Sequence, residues 1–314
     1  MGQRLVAVTG CCGFIGRVVT EALLARGDYV YGVDALTYAA DPATVADWAT
    51  QYGPERFHFV CQDLNALGHF PEVDAVINLA AETHVDNSLS DNTAFVRTNI
   101  NGVAHLLELC RAMRHYEMPR FVQISTDEVY GDIANGTSHE RDVLCPSSPY
   151  SASKAAADML VMAWGRSFGV PWNIVRPSNC YGQHQYPEKL IPKAIRWHLL
   201  GRPMPVHGSG SQTRSWLNVE DAAAAMLTVL DQAPSGEIYN VGGNTEASVS
   251  GVVNAVADAL QLPARAALGF ERAGVDLRYM VSDKKLRALG WEPQGDLWRD
   301  LPGIVEAERS RFRW

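Results

Sequence analysis

The sequence predicts an α/β fold in which a doubly wound parallel sheet carries a smaller C-terminal domain. Three observations support this prediction. Apolar runs of strand length alternate with helical patterns over the first half, a glycine-rich turn follows the first run, and proline and glycine become frequent after about Pro177. With 314 residues, 47% of them hydrophobic, the chain is long enough to bury a full core.

The predicted sheet rests on six short apolar runs. These candidate strands are Leu5–Val8, Tyr29–Val33, Phe57–Val60, Ala75–Leu79, Phe121–Ile124 and Asn173–Val175. Three segments between them, with apolar residues at three- and four-residue spacing, are the candidate helices Ile15–Arg26, Asn99–Met113 and Ser151–Phe168. Alternating strands and helices form βαβ units with right-handed crossovers, which build a parallel sheet covered on both faces.

The strict alternation ends after Pro177, which predicts a boundary between two domains. Residues 1–177 form the first domain and residues 178–314 the second, smaller one. One stretch, Trp216–Leu230 followed by Glu237–Val241, again has a helix-then-strand pattern. We therefore expect residues 215–242 to return to the main sheet.

Composition narrows the possible partners and location. The net charge of −8 argues against a nucleic-acid partner, because phosphate binding relies on clustered Lys and Arg. No apolar run approaches membrane-spanning length and no leader precedes the first strand, so we expect a cytoplasmic protein without membrane contact. The six cysteines show neither a Cys-x-x-Cys pair nor the His spacing of zinc sites, so we expect reduced thiols and no metal.

The turn after the first strand has glycines at positions 10, 13 and 16. Glycine lets the backbone turn sharply and approach a pyrophosphate, and the following helix offers free N–H groups to it. Asp34 ends the second strand, where a carboxylate binds the ribose hydroxyls of a dinucleotide in a Rossmann fold. No Arg follows Asp34 closely, which favours NAD over NADP. The alternative is a glycine-rich turn without a ligand.

The predicted NAD site extends along the carboxyl ends of the strands. Its candidate residues are Gly10, Cys12, Gly13, Phe14, Ile15, Gly16, Asp34, Leu36, Thr37, Asp63, Leu64, Leu79, Ala80, Ala81, Asn99, Ser125, Tyr150 and Lys154.

A catalytic set is predicted at the start of the third helix. Tyr150 and Lys154 are four residues apart and therefore share a helix face. A nearby ammonium favours the phenolate, so we expect a lowered pKa for Tyr150 and a role as a base. Ser125 and Thr126 end a buried strand upstream and supply a hydroxyl partner.

The glycine pattern, the Ser/Thr–Tyr–Lys set and the chain length together resemble the extended short-chain dehydrogenase/reductase superfamily, over essentially the whole sequence. Within it, several segments resemble the dTDP-glucose 4,6-dehydratases. These segments are Ser125–Gly131, His84–Asp86, Arg176–Asn179, Pro187–Pro192, Gly208–Asp221 and Leu289–Trp291.

The resemblance implies a reaction for the adjacent acids Asp127 and Glu128. Tyr150 would take the O4 proton of a nucleotide-linked hexose while NAD accepts hydride from C4, with Thr126 holding O4. Glu128 would then remove the C5 proton and Asp127 would protonate the departing C6 oxygen, before hydride returns to C6. Two carboxyls divide these roles if one is protonated and the other ionised. Alternatively, the two acids only cap the turn that follows them.

The resemblance also implies a set of residues that bind the nucleotide sugar: His84, Asn179, Glu188, Lys189, Leu190, Pro205, His207, Arg214 and Arg272. Any of the charged ones could instead be a solvated surface charge. Val275, His207, Ser215 and Thr245 depart from the pattern of the resembled family. All four lie on the nucleotide-sugar side, so UDP-, CDP- and GDP-linked hexoses remain alternatives to dTDP-glucose.

Two other functions fit parts of the sequence. One is a nucleotide-sugar 4-epimerase or a glucuronate decarboxylase of the same fold, neither of which needs the Asp127 acid. The other is a non-catalytic NAD-binding regulatory module, which has no need of the Tyr150–Lys154 geometry.

The resemblance further implies a homodimer that pairs the helices Asn99–Met113 and Ser151–Phe168. Leu106, Leu107, Leu109 and Leu160 are the candidates for its apolar seam. These leucines could equally be core residues that pack against the sheet.

Overall fold

The computed structural model describes residues 3–113, 117–264, 266–270 and 276–310. Arg272 and Val275 lie outside these residues. Within the described residues, no helix has the length and apolar character needed to cross a membrane.

The main sheet has seven parallel strands in the order β10-β6-β5-β4-β1-β2-β3. The strands are β1 (Leu5–Thr9), β2 (Tyr29–Asp34), β3 (Phe57–Cys61), β4 (Ala75–Asn78), β5 (Arg120–Ile124), β6 (Trp172–Pro177) and β10 (Glu237–Val241). The first six overlap the six predicted runs. The chain order reverses between β1 and β4, which opens a crevice at the carboxyl ends of these strands. The predicted doubly wound α/β fold is confirmed.

Helices cover both faces of this sheet. They are α1 (Phe14–Ala25), α2 (Ala43–Arg56), α3 (Val85–Ser90), α4 (Thr93–Phe95), α5 (Val103–Ala112), α6 (Pro149–Phe168) and α8 (Val219–Gln232), with a π-helical segment, Val96–Gly102, joining α4 to α5. Side chains of β1 alternate between the faces: Val6 and Val8 pack with α1 and α8, whereas Ala7 packs with α5 and α6. Burial on both faces explains why these strands are nearly continuous apolar runs.

The rest of the chain builds two small sheets and a third apolar cluster. One sheet has the order β11-β9-β7 and the other pairs β8 with β12. Their elements are β7 (Asn179–Tyr181), α7 (Leu190–Leu199), β8 (Met204–His207), β9 (Thr213–Asn218), β11 (Thr245–Ser248), α9 (Val249–Ala259), β12 (Ala266–Phe270), α10 (Lys284–Arg287) and α11 (Leu297–Ser310). Helices α7, α9 and α11 pack their apolar faces together beside these strands.

Two sequence predictions need correction. The helix predicted from Trp216 begins only at Val219, because Trp216–Asn218 ends strand β9. Leu106 and Leu107 are fully buried against the sheet and cannot contribute to a dimer seam, whereas Leu109 and Leu160 are only partly buried.

Candidate active site

The glycine-rich turn between β1 and α1 is shaped by close backbone contacts. Gly10 has φ +69° and donates its N–H to Val33 O at 2.8 Å. A Cβ at Gly10 would lie 2.6 Å from Ala80 N, and one at Gly16 would lie 2.0 Å from Gly10 O. Helix α1 then begins after Gly13 without a side-chain cap, so the first N–H groups of the helix point toward the crevice as an anion site.

Asp34 lies beside this turn and is held by backbone donors. Its Oδ2 accepts from Cys12 N at 2.9 Å and its Oδ1 from Leu36 N at 2.8 Å. Burial raises the pKa of Asp34, and these two hydrogen bonds oppose the rise. The carboxylate is therefore fixed in orientation at the end of β2.

Tyr150 and Lys154 both face one cavity of about 260 Å³ at the carboxyl ends of β1, β4, β5 and β6. Helix α6, which carries them, is started by a capping box between Ser148 and Ser151 and by Pro149 in its first turn. Lys154 Nζ donates to Ile124 O at 2.5 Å, and burial lowers the pKa of Lys154 to about 8.

The expected lowering of the Tyr150 pKa is not found. Burial raises the pKa of Tyr150, and the negative charge of Glu128 raises it further, while the Thr126 hydroxyl opposes the rise. The phenol is almost completely enclosed, and the Lys154 ammonium is engaged with the Ile124 carbonyl. Sequence spacing indicates that the two groups share a face, but it does not reveal this desolvation.

Thr126, rather than either acid, caps the turn that contains the carboxyl pair. Its Oγ1 accepts from Glu128 N at 3.2 Å and donates to Asp127 Oδ1 at 3.2 Å. Asp127 is 2% exposed, and among the described residues its Oδ2 and the Ser125 hydroxyl have no hydrogen-bond partner. Burial raises the pKa of Asp127 to about 7, and Glu128 adds to the rise while Arg214 opposes it. A half-protonated carboxyl thus lies beside a second carboxyl in one cavity.

The predicted site residues fall into three groups. Those that line the cavity with Tyr150 and Lys154 are Gly10, Gly13, Phe14, Ile15, Gly16, Leu79, Ala81, Ser125, Thr126, Asp127, Glu128, Asn179, Glu188 and Lys189. Cys12 and His84 instead line a second cavity of about 670 Å³, which shares Gly13, Phe14 and Glu188 with the first. Those that line neither cavity are Asp34, Leu36, Thr37, Asp63, Leu64, Ala80, Asn99, Leu190, Pro205, His207 and Arg214.

Asn99, a member of this last group, contacts the helix that carries Tyr150. Asn99 Nδ2 donates to Glu82 O and to Ser153 Oγ, on the helix of Tyr150. In contrast, Asp63 forms an exposed ion pair with Arg97 at 2.8 Å, and Leu64 is buried in the core. His207 Nε2 lies 3.9 Å from Asp86 Oδ2 at the side of the substrate region.

The cations on the substrate side already donate to the protein. Lys189 Nζ donates to Thr83 O at 2.9 Å and to Thr83 Oγ1 at 3.1 Å. Arg214 Nη2 donates to Asp276 O at 3.0 Å, and its guanidinium lies 4.4 Å from the centre of the Tyr279 ring. A bound anion would share or replace these partners.

Sequence reasoning missed Cys180, which lines the cavity, and also Tyr38 and Tyr279, which contact predicted site residues from distant segments. Tyr38 donates to Glu188 Oε1 at 3.3 Å across the cavity mouth. Tyr279 donates to Asp276 Oδ2 beneath Arg214. Cys180 lines the cavity, where burial and the charge of Asp127 raise its pKa to about 12. None belongs to a local motif that sequence spacing would identify.

A buried ion pair supports the floor of the site. Arg176 Nε donates to Asp158 Oδ2 at 2.9 Å, and both side chains are at most 1% exposed. Arg176 Nη1 donates to Tyr130 OH, which donates to Asn240 Oδ1, both at 2.7 Å. The network ties α6, one helical turn beyond Lys154, to β6, β10 and the turn of Asp127.

Comparison with known proteins places this geometry among enzymes of nucleotide sugars. Residues 7–299 match the family model described as GDP-mannose 4,6 dehydratase. The chain is 39% identical to dTDP-glucose 4,6-dehydratase 1 of Escherichia coli K12, over 98% of this chain and 94% of that one. It is 41% identical to dTDP-glucose 4,6-dehydratase of Neisseria gonorrhoeae, over 93% and 92% of the two chains.

The solved structures that resemble this chain are also enzymes of nucleotide sugars. The dTDP-glucose 4,6-dehydratase DesIV from Streptomyces venezuelae, with NAD and TYD bound, is similar with a TM-score of 0.91 and 34% identity, over 98% of this chain and 97% of that one. UDP-glucuronic acid 4-epimerase from Bacillus cereus, in complex with UDP-glucuronic acid and NAD, is similar with a TM-score of 0.91 and 26% identity, over 98% and 100%.

Proposed function

Because the chain belongs to the GDP-mannose 4,6 dehydratase family, we propose that it is an NAD-dependent 4,6-dehydratase of a nucleotide-linked hexose, with dTDP-glucose as its substrate. The observation that carries this proposal is that the buried Asp127 and the half-buried Glu128 share one cavity with Tyr150. The names of the relatives, which are dTDP-glucose 4,6-dehydratases at about 39% identity over nearly their full length, support the same activity.

NAD fits the site formed by the glycine-rich turn, the start of α1 and Asp34. The close backbone packing at Gly10 and Gly16 supports a tight turn of the kind that holds a pyrophosphate, and Asp34 ends β2 where a carboxylate would accept from the ribose. The residues proposed above for NAD are retained in this role, including Asp63 and Leu64, which line neither cavity. When bound, NAD supplies the acceptor and the later donor of hydride.

Tyr150 and Thr126 act at O4 of the sugar. The Thr126 hydroxyl orients the O4 hydroxyl, and Tyr150 removes its proton as C4 is oxidised. Lys154, held by the Ile124 carbonyl, supplies positive charge beneath the site. Because burial and Glu128 raise the Tyr150 pKa, the phenol functions as a base only while the oxidised, cationic cofactor is present to counter them.

Asp127 and Glu128 carry out the elimination. The C4 ketone acidifies the C5 proton, which Glu128 removes, and protonated Asp127 donates to the C6 oxygen so that water leaves. Thr126 and burial hold the Asp127 carboxyl in place, and its pKa of about 7 keeps a substantial protonated fraction at neutral pH. Glu128 would return to C5 the proton it removed, while C6 is reduced by the hydride of bound NADH, which gives a 4-keto-6-deoxy sugar with no net redox change.

The nucleotide-sugar ligands are proposed to come mainly from residues 178–314, and the NAD ligands from residues 1–177. Residues 215–242 add α8 and β10 to the main sheet. Glu188, Lys189 and Arg214 are the charged residues proposed for the nucleotide and diphosphate. His84, Asn179, Leu190, Pro205, His207 and Arg272 keep the roles given above, although Arg272 lies outside the described residues.

We also propose a cytoplasmic homodimer that pairs α5 and α6. Met159, which is 49% exposed on α6, and the partly buried Leu109 and Leu160 would form the apolar seam. Sedimentation or light scattering of the purified protein tests this arrangement. A monomer at micromolar concentration would contradict it.

The experiment that tests the activity is incubation of the purified protein with dTDP-, UDP-, CDP- and GDP-linked hexoses in separate reactions. We expect loss of one water from the dTDP sugar, seen by mass spectrometry, and the alkali-induced absorbance of a 4-keto sugar. Water loss from another nucleotide sugar alone would correct the base specificity. Isomerisation without water loss would favour a 4-epimerase, the activity of several structural neighbours.

A further inference from the structure

The glycine-rich turn contains two adjacent cysteines whose thiols lie side by side. Cys11 Sγ and Cys12 Sγ are 3.8 Å apart, and both residues are at most 2% exposed. A carboxylate oxygen of Asp34 joins them, with all three ligand atoms within 4.8 Å of one another. The proposed reaction uses neither thiol.

The distance between the two sulfurs matches the distance between two thiolate ligands of one tetrahedral, thiophilic metal ion. Two thiolates that each bind zinc at about 2.3 Å, at a tetrahedral angle, lie about 3.8 Å apart. The 3.8 Å contact also fits an S–H···S hydrogen bond between two thiols that serve only as small side chains, but that alternative does not account for the carboxylate oxygen within 4.8 Å of both sulfurs.

The surrounding backbone holds this arrangement and leaves a way in. Cys12 N donates to Asp34 Oδ2 at 2.9 Å, which fixes the third ligand against the turn. Gly32, on the neighbouring strand β2, makes room for the first thiol, since a Cβ there would lie 2.9 Å from Cys11 Sγ. Cys12 lines the cavity of about 670 Å³, from which an ion can reach the pair.

We propose that Cys11, Cys12 and Asp34 form a binding site for Zn²⁺, with a water molecule in the fourth position. Binding converts two thiols to thiolates and releases two protons, so no oxidant or reductant is needed. This inference departs from the expectation of no metal site, which rested on Cys-x-x-Cys and His spacings and overlooked adjacent cysteines.

Zinc at this site would oppose cofactor binding, a consequence that rests on the proposed function. Asp34 is the residue proposed to bind the ribose of NAD, and a carboxylate that ligates zinc is no longer available as that acceptor. Zinc is therefore expected to raise the apparent Kd for NAD, and NAD the apparent Kd for zinc, by the same factor.

The direct test measures metal binding by the full-length protein after removal of bound NAD and without any sugar substrate. Equilibrium dialysis against micromolar Zn²⁺ in a non-chelating reductant should give one ion per chain, and Cd²⁺ should produce a sulfur-to-metal charge-transfer absorbance. Cys11→Ala and Cys12→Ala should each weaken binding at least tenfold. Cys61→Ala and Cys145→Ala, at exposed cysteines, are the matched controls and should bind like the unaltered chain. Equal binding by Cys12→Ala, or loss in the controls, would overturn the proposal.

A second measurement needs no variant and therefore does not depend on how a variant folds. Because Cys11 and Cys12 are buried and react only when the turn opens locally, their alkylation with and without Zn²⁺ is followed over time by peptide mass spectrometry. Zn²⁺ should give protection, seen as slower modification, at these two thiols and none at the exposed Cys61. Absence of protection would refute the site. Because both readouts omit the nucleotide sugar, a failed dehydratase assay alongside zinc protection would count against the proposed function alone.

Discussion

The cofactor side and the substrate side of the cleft are built in different ways. On the cofactor side, backbone groups make most of the hydrogen bonds that shape the site. The Gly10 N–H donates to the Val33 carbonyl, and two backbone N–H groups donate to the Asp34 carboxylate. On the substrate side, long cationic side chains donate to protein carbonyls, as Lys189 does to Thr83 and Arg214 to Asp276. The first region is formed before its ligand arrives, whereas the second must exchange partners when an anion binds.

This difference separates the effects of substitution. Changes on the cofactor side disturb the backbone and should remove the cofactor outright. Substitutions on the substrate side remove or redirect the hydrogen bonds of a flexible side chain. They should therefore change KM by moderate factors. Asp127 and Glu128, the acids proposed for the elimination, lie between the two regions, and burial is the main cause of the raised pKa of Asp127.

The largest effect is expected for Gly10→Ala. Its new Cβ would lie 2.6 Å from Ala80 N at a position of positive φ, so the turn must move. We expect loss of bound NAD, measured by release and absorbance of the dinucleotide after denaturation. Gly201→Ala is the matched control, since Gly201 also has positive φ but its added Cβ meets nothing within 4 Å. The control should lose only about 1 kcal/mol of stability and keep its NAD; retained NAD in Gly10→Ala would contradict a preformed cofactor turn.

Asp127→Asn should lower turnover and raise stability. Loss of the proton donor is expected to reduce kcat by roughly 10²–10⁴-fold. Because the folded-state pKa of Asp127 is about 7 and the unfolded value is about 3.9, the folded protein keeps a proton that the unfolded chain has released. The contribution of this group to stability is thus full below about pH 4 and is lost as the pH rises through about 7.

The variant removes that loss of stability, so its Tm should exceed that of the unaltered protein at about pH 8 and match it at about pH 4. The unaltered enzyme should also lose activity as the pH rises through about 7, as the acid is deprotonated. Thermal melts and kcat profiles across this range measure both effects. A lower Tm for Asp127→Asn at the higher pH would show that the carboxyl is not held against its ionisation.

Arg214→Ala should change KM more than kcat. Loss of a charge-assisted contact to the diphosphate is expected to raise KM roughly tenfold to a hundredfold, with NAD content unchanged. Since Arg214 opposes the rise of the Asp127 pKa, the alkaline fall in activity should also move to higher pH. Arg278→Ala, which removes an arginine paired with Glu246 outside both cavities, should leave KM unaltered.

The smallest effect is expected for Tyr38→Phe. It removes the hydrogen bond that the hydroxyl donates to Glu188 and the one it accepts from Asn87, and it keeps the ring that packs edge-on against Tyr186. Steady-state kinetics should show a rise in KM of about two- to tenfold with kcat nearly unchanged. An equal fall in kcat and kcat/KM would instead place Tyr38 in the chemical step.

The sequence predicted the main sheet well because the inner strands β1, β4, β5 and β6 are buried on both faces and so form nearly continuous apolar runs. It missed β7, β9 and β11, since these short strands lack such runs, and it assigned Trp216–Asn218 to a helix. Leu106 and Leu107 were candidates for a dimer seam because spacing alone does not distinguish a core face from an exposed one.

The site shows the same division. The sequence predicts which site residues lie together where a motif has a fixed spacing and a fixed place relative to a strand or helix. This holds for Gly10, Asp34, Tyr150 and Lys154. The places of Tyr38, Cys180 and Tyr279 could not be predicted, because only the tertiary fold brings each of them to the site. The rise in the Tyr150 pKa could not be predicted from spacing either, because it depends on burial and on the charge of Glu128.

The central claim is that Glu128 and Asp127 divide the elimination between a base and an acid. The most direct test is rapid-quench mass spectrometry of Glu128→Gln with dTDP-glucose, with the unaltered enzyme in parallel. Without its C5 base, the variant should still oxidise C4 and should accumulate a 4-keto hexose that retains its C6 oxygen. Formation of the dehydrated product at the rate of the unaltered enzyme would contradict the account.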